Sequence, residues 1–461
     1  MDLRDFVSQL EKSGELLRVK VGIDPEGEIA EVTDRVSKGA GGGRALFFES
    51  VKGHPFPVLT NLFGSPRRTA LALGTDDIEA LAGRIGRELA ACGGGSAAER
   101  LTRLVGAPEW RPRTVSHAPC RQVLRSENPD LSILPALRSW PGDGGRFLTL
   151  PLVFTADPTT GRSNCGMYRV QILDGGRAAV HFGPVSDGGR HRAAWQARGE
   201  PMPAAIALGG DPALIYAAGA PLPPGVEEAA FAGYLRRKPL EMTGGLTCDL
   251  AVPASAEFVV EGWFEPGETA PEGPFGNHTG YYVPAAPAPV FRAAALTHRA
   301  APLYPCTVVG PPPMEDCYLA KVTERLFLPL LRVDFPEIRD LNMPLEGIFH
   351  GCALLSIRKD APGQARRLIE ALWQGRLLKS SRMLVVLDEH VDVQDLSRSF
   401  WRTINHVDPG RDLLVDGRRV GVDATRKLRG EAAEGALPKP VRRDEATRRL
   451  VDGRWPEYGI E

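Results

Sequence analysis

Residues 147–182 read FLTLPLVFTADPTTGRSNCGMYRVQILDGGRAAVHF, and this stretch decides how the middle of the chain folds. Runs of apolar and β-branched residues alternate in it with two short turn sequences, DPTTG and DGG. That succession is typical of neighbouring antiparallel strands joined by tight turns. Strands are therefore predicted at Phe147–Thr155, Met167–Leu173 and Ala178–Phe182.

Outward from this stretch, the strand pattern is interrupted and then resumes. Helical periodicity dominates between His191 and Leu235. Strand patterns return at Glu257–Glu261, Val290–Thr297 and Leu303–Val309. This mixture favours a β-barrel or a curved sheet with a helical insertion.

The N-terminal residues read as an α/β unit. Apolar residues follow helical spacing in Leu3–Leu10, and Asp24 followed by Pro25 predicts the cap and first turn of a second helix. Short strand patterns come next, and then a further amphipathic helix that runs into the glycine-rich stretch Gly93–Ser96. That stretch is the clearest predicted linker in the chain.

The C-terminal residues are also predicted to be α/β. A βαβ unit is expected from Ala353–Ile357, Gln364–Gln374 and Met383–Leu387, followed by helices at Val393–Val407 and Arg443–Asp452. We therefore expect an α/β (α+β) protein with three domains: residues 1–115, residues 116–310, and residues 311–461 with a charged tail.

Composition limits the classes of partner. The chain has 461 residues, 56 Lys and Arg against 57 Asp and Glu, and a formal net charge of −1. So small a net charge gives no broad positive field for nucleic acid or anionic lipid. No segment approaches the roughly 18 apolar residues of a membrane span, and Met1–Asp5 is charged where a signal peptide is apolar. We expect a cytoplasmic protein that binds small molecules and neither nucleic acid nor membrane.

Two segments combine glycine with polar side chains able to bind a ligand. In Asn164–Arg169, glycine permits close backbone approach and the arginine offers a fork for a carboxylate or a phosphate. An arginine in an ordinary surface ion pair fits the same pattern. The second segment, Glu272–Tyr282, reads EGPFGNHTGYY and holds a carboxylate, an amide and an imidazole in a Gly/Pro loop. A structural turn capped by Glu272 is an equal alternative.

The two segments resemble the signatures of the UbiD family of decarboxylases, which depend on prenylated flavin mononucleotide (FMN). Shorter similarities follow in the family's order through nearly the whole chain, too many of them for chance. They are Phe56–Asn61, Trp140–Gly145, Ala207–Ala213, Val252–Glu257 and Phe335–Ile338.

The resemblance implies a UbiD-like fold: an N-terminal α/β domain, a central FMN-binding split β-barrel and a C-terminal α/β domain, assembled as a homodimer or larger homo-oligomer. It implies a carboxy-lyase that reversibly decarboxylates an aromatic, heteroaromatic or α,β-unsaturated carboxylic acid without oxidation. Side chains cannot stabilise the carbanion that remains, so the chemistry needs the modified flavin as an electron sink. A flavin prenyltransferase would supply that cofactor.

The resemblance also implies a divalent cation, Mn²⁺ or Mg²⁺, between the cofactor phosphate and three side chains. The matching residues are Asn164, His191 and Glu228, a set whose oxygen-rich ligands and single nitrogen suit such cations. From the residues alone, a surface histidine is an alternative interpretation of His191. Glu227 is likewise an alternative to Glu228 as the carboxylate ligand. A K⁺ ion near Glu228 would use backbone carbonyls between Ala217 and Ala220.

Further cofactor contacts are implied for several residues beside these ligands. Arg382 matches a position where relatives tend to have a lysine at the phosphate, although a surface arginine at a strand end is the alternative. The remaining implied contacts are Met167, Tyr168, Arg169, Ala218 and Pro221.

Three residues carry the implied catalytic roles. Arg169 matches the arginine that orients the substrate carboxylate, and Glu272 matches the acid that returns a proton. Asn277 departs from the family, which usually has a second acid there. An amide cannot ionise, so its presence should lower the pKa of Glu272 and leave Arg169 less neutralised. Three outcomes stay open: an active enzyme for a different acid, a slow enzyme, and a non-catalytic flavin-binding homologue.

Overall fold

The architecture is taken from a computed structural model, which describes residues 1–183, 185–348, 351–431, 441 and 443–460. Within these ranges, secondary structure follows the chain in an N-terminal, a central and a C-terminal part. No helix in the described part of the chain has the length and apolar character needed to cross a bilayer.

Helices and strands of the N-terminal part build a small sheet covered by helices. Strands β1, β2 and β3 lie side by side, and a later strand, Tyr304–Pro305, extends their sheet at β3. The elements are α1 (Leu3–Lys12), β1 (Leu16–Val19), α2 (Glu28–Ser37), β2 (Ala45–Phe48), β3 (Val58–Thr60), α3 (Pro66–Ala72), α4 (Ile78–Ala91), α5 (Ala97–Val105) and β4 (Arg113–Thr114).

Two N-terminal expectations need correction. Helix α2 begins at Glu28 and not at Asp24-Pro25. The side chain of Asp24 accepts a hydrogen bond from the backbone N–H of Glu26 and so forms a tight turn before the helix. The predicted linker is a turn between α4 and α5, in which Ser96 caps α5 by accepting a hydrogen bond from the backbone N–H of Glu99. Both helices pack on one core.

The central part is built around one large antiparallel sheet with the strand order β6-β9-β10-β17-β14-β11-β7-β8, and with β5 paired to β17. The strands of that sheet are β5 (Val123–Arg125), β6 (Phe147–Leu148), β7 (Leu152–Ala156), β8 (Ser163–Gly166), β9 (Val170–Ile172), β10 (Arg177–Val180), β11 (Met202–Gly209), β14 (Ala256–Glu272) and β17 (Ala286–His298). The other strands of the central part are β12 (Glu241–Gly244), β13 (Ala251–Pro253), β15 (Phe275–Gly276), β16 (Tyr282–Val283) and β18 (Tyr304–Pro305). Its helices are α6 (Asp187–Arg198), α7 (Pro212–Ala217) and α8 (Glu228–Arg236).

The predicted strands of the central part are present only in part. The strand expected at Phe147–Thr155 forms two strands, β6 and β7, and of Leu303–Val309 only Tyr304–Pro305 is a strand. The strand expected at Met167–Leu173 is shortened to Val170–Ile172, and this difference matters for the site. The backbone N–H of Met167 donates instead to the carbonyl of Ala218, at 3.1 Å. Residues 167–169 therefore leave the sheet and are available to other groups.

Strand β11 lies inside the segment that was predicted as helical. It pairs with β14 and β7, and its residues alternate between two hydrophobic cores. Because both faces of β11 are buried, its sequence, MPAAIALG, shows no polar alternation and is rich in alanine, a strong helix former.

The C-terminal part contains the predicted βαβ unit, with β20 and β21 parallel in the sheet order β19-β20-β21-β23-β22. Residues 384–387 of β21 are all apolar because the two faces of the strand contribute to different cores. The elements are α9 (Glu315–Asp334), β19 (Ile338–Asn342), β20 (Cys352–Ile357), α10 (Gln364–Leu372), β21 (Met383–Asp388), α11 (Leu396–His406), α12 (Pro409–Asp412), β22 (Leu413–Asp416), β23 (Arg419–Asp423) and α13 (Glu445–Arg454).

Candidate active site

Two of the predicted cation ligands meet at one buried hydroxyl. Asn164 on β8 lies opposite Thr155 on β7, and its Nδ2 donates to Thr155 Oγ1 at 3.3 Å. His191 on α6 places its Nδ1 3.0 Å from the same oxygen. With Nδ1–H donating to that hydroxyl, Asn164 Oδ1 and His191 Nε2 are the atoms left for a ligand.

The third predicted ligand, Glu228, is the first residue of α8. Its Oε2 accepts a hydrogen bond from the backbone N–H of Cys165 at 3.0 Å, next to Asn164. Burial raises the pKa of Glu228 to about 7, and this backbone hydrogen bond offsets only part of the effect. A carboxyl with so costly a negative charge is suited to a bound cation.

These three residues line a single cavity of about 280 Å³, together with three arginines: Arg162, Arg190 and Arg376. Arg376 comes from the C-terminal part and pairs with Asp187 of α6, with 2.9 Å between Nη2 and Oδ2. Guanidinium groups are well suited to bind phosphate oxygens. The cavity thus combines a cation-ligand set with donors for an anion.

The donor set fits the cation that the resemblance implies. An amide oxygen, an imidazole nitrogen and a carboxylate suit Mn²⁺ or Mg²⁺, and a phosphate would complete the coordination. Within the described ranges, no three His, Cys, Asp or Glu side chains form a metal-binding group. The set here has a different composition, because one of its members is the amide of Asn164.

A second polar cluster lies where Arg169 leaves the sheet. Arg169 donates to both carboxylate oxygens of Glu272, the last residue of β14, with distances of 2.7 Å from Nε to Oε1 and 2.8 Å from Nη2 to Oε2. The guanidinium carbon also lies 4.7 Å from the centre of the Phe275 ring. Such bidentate pairs are strong and fix geometry. Glu272 is only 1% exposed.

His181 is a third member of this cluster, and the sequence analysis missed it. Its Nδ1 lies 3.1 Å from Glu272 Oε2 and 3.2 Å from Arg169 Nη2. The hairpin of β9 and β10 pairs Val170 with Val180, so the next residues outward are Arg169 and His181. That register, readable from the turn at residues 174–176, was the available signal.

Opposing effects act on the ionisation of Glu272. Burial alone would raise its pKa, but hydrogen bonds from His181 and Arg169, and their positive charge, outweigh burial and lower the pKa of Glu272 to about 2. In this arrangement Glu272 is therefore a carboxylate and holds no proton.

The loop after Glu272 is fixed by contacts with the preceding strands and loops. Gly273 has a φ of +98°, a conformation that favours glycine, and its N–H donates to Gln171 Oε1 at 2.7 Å. The N–H of Gly276 donates to Asp143 Oδ1 at 2.8 Å. These contacts hold Glu272 in place opposite Arg169.

Asn277, which matches the position of the family's second acid, forms hydrogen bonds within its own turn. Its Oδ1 accepts hydrogen bonds from Thr279 N at 2.9 Å and Thr279 Oγ1 at 2.6 Å. This local Asx turn satisfies the amide oxygen, which explains why the side chain does not reach the cluster. His181 occupies the third position beside Glu272.

Of the other predicted cofactor residues, three form hydrogen bonds near the start of β9, whereas Pro221 and Arg382 lie elsewhere. Met167 and Ala218 are joined through their backbones, and the Tyr168 hydroxyl accepts a hydrogen bond from Gly188 N at 3.1 Å. Pro221 lines a neighbouring apolar cavity of about 400 Å³. Arg382 is exposed at the start of β21 and does not line the cavity with the cation ligands, whereas Arg376 does.

Comparison with known families covers most of the chain. The UbiD 3-octaprenyl-4-hydroxybenzoate carboxy-lyase N-terminal domain matches residues 7–85, and the Rift-related domain of the same enzymes matches residues 113–312. The corresponding C-terminal domain matches residues 317–426. All three parts of the predicted fold are thus found in order.

Whole-chain relatives agree. An uncharacterized protein of Archaeoglobus fulgidus is 41% identical, covering 99% of this chain and 98% of its own. An evolved dimeric form of the UbiD-class enzyme HmfF from Pelotomaculum thermopropionicum, in complex with prFMN, is similar at 30% identity and TM-score 0.80, covering 95% and 97% of the two chains. The closed form of Sedimentibacter hydroxybenzoicus vanillic acid decarboxylase is similar at 26% identity and TM-score 0.88, covering 100% and 99%. The chain therefore belongs to the UbiD family of carboxy-lyases and has that family's three-domain α/β fold.

Proposed function

We propose that this protein reversibly decarboxylates an aromatic, heteroaromatic or α,β-unsaturated carboxylic acid, without oxidation, using prenylated FMN and a divalent cation. The observation that carries the proposal is the arrangement of residues 164–169. One end of this stretch lines the cavity that contains Asn164, His191 and Glu228, and the other holds Glu272 in a buried ion pair. The five Cα-to-Cα steps from Asn164 to Arg169 span at most about 18 Å, so one mononucleotide can reach both places.

At the cavity, we assign Asn164, His191 and Glu228 to Mn²⁺ or Mg²⁺, and Arg376 to the cofactor phosphate. A K⁺ ion would lie at the carbonyls of residues 217–220. The carbonyls of Ala217 and Ala218 already accept hydrogen bonds from backbone N–H groups, and each keeps a second lone pair.

At the other end, Arg169 binds the substrate carboxylate and Glu272 delivers the proton. When bound, the prenylated flavin supplies the electron sink for the bond pair that remains when carbon dioxide leaves. The substrate carboxylate competes with Glu272 for the fork of Arg169, because both are carboxylates. Once Glu272 loses that partner, one of the two groups that lower its pKa is gone, and its carboxyl accepts a proton more readily. Glu272 gives this proton to the carbon that lost carbon dioxide.

One observation favours the alternative of a non-catalytic flavin-binding homologue. With Arg169 and His181 both in contact, Glu272 is ionised and has no proton to give. Catalysis therefore requires that a substrate displace Glu272 from Arg169, and a protein that binds flavin without such displacement would be inactive.

Co-expression with a flavin prenyltransferase separates the two functions. The purified protein would be examined for the prenylated-flavin absorption spectrum and then for carbon dioxide release from vanillate, 3,4-dihydroxybenzoate, furan-2-carboxylate and cinnamate. We expect release from at least one of these classes of acid. A loaded protein that releases none, and exchanges no solvent deuterium into the corresponding decarboxylated compounds, would support the non-catalytic function.

We also propose the boundaries 1–115, 116–310 and 311–461 for the domains, a homodimer as the assembly and the cytoplasm as the location. The family matches at residues 113–312 and 317–426 lie close to the proposed boundaries. The dimeric form of HmfF supports the assembly by analogy.

A further inference from the structure

His181 connects the two residues of the proposed reaction. It follows β10, and its backbone N–H donates to the carbonyl of Arg169 at 3.1 Å. Its ring Nδ1 lies 3.1 Å from Glu272 Oε2. The charged groups in contact with the ring are therefore Arg169 and Glu272, from the two elements that meet here.

The position of the ring hydrogen follows from the neighbours of Nδ1. A carboxylate only accepts hydrogen bonds and a guanidinium only donates them. Arg169 Nη2 already donates to Glu272 Oε2 at 2.8 Å, a shorter contact than its 3.2 Å approach to the ring. A lone pair on Nδ1 would face the carboxylate of Glu272 and be repelled, and from this we infer that Nδ1 carries hydrogen and donates to Glu272.

His181 is also the side chain in contact with Glu272 that is able to carry a proton. Among the described residues, the side chains that hydrogen-bond to the carboxylate of Glu272 are Arg169 and His181. Arginine does not release its proton in proteins, whereas histidine exchanges one near neutral pH. Asn277 is bound to Thr279 and cannot ionise.

The ring also joins the buried carboxyl to water. The side chain of His181 is 44% exposed, whereas that of Glu272 is 1% exposed. The ring can thus exchange its proton with water and donate from Nδ1 to Glu272, which is itself shielded from water.

We propose that His181 returns a proton to Glu272 in each turnover, in the place where the family usually has a second acid. The inference rests on the proposed function. Glu272 loses its O–H proton to the substrate carbon, and the imidazolium of His181 then loses its Nδ1 proton to Glu272 Oε2. This leaves a neutral ring with hydrogen on Nε2, and water then protonates Nδ1 so that the imidazolium forms again. One solvent proton replaces one carbon dioxide, and no electrons are exchanged. His181 touches neither substrate nor cofactor and is a positioning residue that acts through Glu272.

The first test needs no cofactor and no substrate. Nitrogen-15 labelling of histidine, with His181→Phe to assign the signal, reports by NMR which ring nitrogen carries hydrogen. We expect hydrogen on Nδ1. A neutral ring with hydrogen only on Nε2 would overturn the inference, whatever the protein does with carboxylic acids.

The second test uses protein loaded with prenylated FMN and the four acids named above. His181→Asn keeps a side-chain N–H donor but cannot carry a proton, and His181→Phe removes both properties. We expect kcat to fall about 10²-fold in both variants with KM little changed, and imidazole in solution to restore part of the activity of His181→Phe. His117→Asn, at an exposed histidine, is the matched control.

The outcomes separate the two proposals. If His181→Asn keeps the wild-type kcat and pH profile, the residue is only a structural hydrogen-bond donor and the inference fails. If the loaded wild type converts none of the acids, the proposed function fails, and the NMR measurement still decides the position of the hydrogen on His181.

Discussion

Two glutamates mark the two ends of the site, and their ionisation is shifted in opposite directions. Glu228 has its pKa raised to about 7 by burial, whereas Glu272 has its pKa lowered to about 2 because His181 and Arg169 outweigh burial. Both are glutamates in low-dielectric surroundings, so the difference comes from their partners. Glu228 lacks the positive charge that a bound cation would bring.

The comparison shows what each end needs before it can act. In the proposed function, a cation binds at the cavity end and relieves an unfavourable negative charge. At the reaction end, a cationic partner must leave, and its departure would allow Glu272 to take up a proton. In the proposed function, Glu228 thus gains a positive partner, the cation, whereas Glu272 loses one, Arg169.

The largest expected effect comes from removing the acid at the reaction end. Glu272→Gln should lower turnover about 10²- to 10⁴-fold, because the amide cannot deliver a proton. FMN binding, measured by flavin fluorescence, should persist. Glu268→Gln, on the same strand and in an ion pair with Arg292, is the matched control. Unchanged turnover in Glu272→Gln would assign the proton to another group.

The same variant should change how the free energy of unfolding depends on pH. Because the pKa of Glu272 falls from an ordinary 4.5 to about 2 on folding, its ionised form stabilises the protein above pH 4.5. That contribution, at most about 3 kcal/mol, is lost as the pH falls towards 2. Urea unfolding at pH 7, 4.5 and 3 should show the gap between wild type and Glu272→Gln narrowing. A gap that is constant with pH would contradict the lowered pKa.

At the cavity end, Glu228→Gln should weaken Mn²⁺-dependent FMN binding. Loss of the anionic ligand should cost about tenfold to a hundredfold in affinity, measured by fluorescence titration with and without Mn²⁺. Glu227→Gln tests the neighbouring carboxylate, which is exposed and should matter little. Equal losses in the two variants would show that the cavity responds to net charge and not to a specific ligand.

A smaller effect is expected for Arg376, which we assign to the phosphate. Arg376→Ala should weaken FMN about tenfold through one charge-assisted hydrogen bond, but should leave riboflavin, which has no phosphate, unaffected. Arg382→Ala is the control for the loss of a nearby arginine. If FMN binding depends on Arg382 and not on Arg376, the phosphate assignment reverts to the sequence prediction.

The smallest effect is expected for Asn277→Asp. The aspartate keeps the acceptor oxygen that binds Thr279, so the turn should persist and turnover should change less than about twofold. A pH profile of turnover that shifts markedly would place residue 277 in the proton network after all.

Much of the fold could be predicted from periodicity, because many elements bury only one face. Helices α1 and α10 follow this rule and were predicted correctly. Strands β20 and β21 bury both faces, and they were predicted from short, continuous apolar runs instead. Strand β11 did not follow the rule either, since its two buried faces and alanine content remove the alternation on which strand prediction depends.

The candidate site was harder to predict, because its residues meet only in the folded chain. Asn164, His191 and Glu228 lie on a strand and two different helices, and no local spacing links them. They could be named only through resemblance. His181 lies outside the quoted signatures, and its place beside Glu272 depends on the register of a hairpin.

Two signature glycines have a physical role that the sequence did not reveal. They were expected to admit a ligand to the backbone. A Cβ on Gly166 would lie 2.3 Å from the Tyr168 ring, and one on Gly276 would lie 2.4 Å from Trp140. These glycines make room for aromatic rings of the protein itself, a contact between side chain and backbone that no composition rule predicts.

The hydroxyl of Thr155 bears on how the protein acquires its cofactor. Since this one buried group orients both Asn164 and His191, two ligands are set before any ion arrives. If these two side chains hold the proposed cation, they are in position before it binds, and neither has to be reoriented when it does.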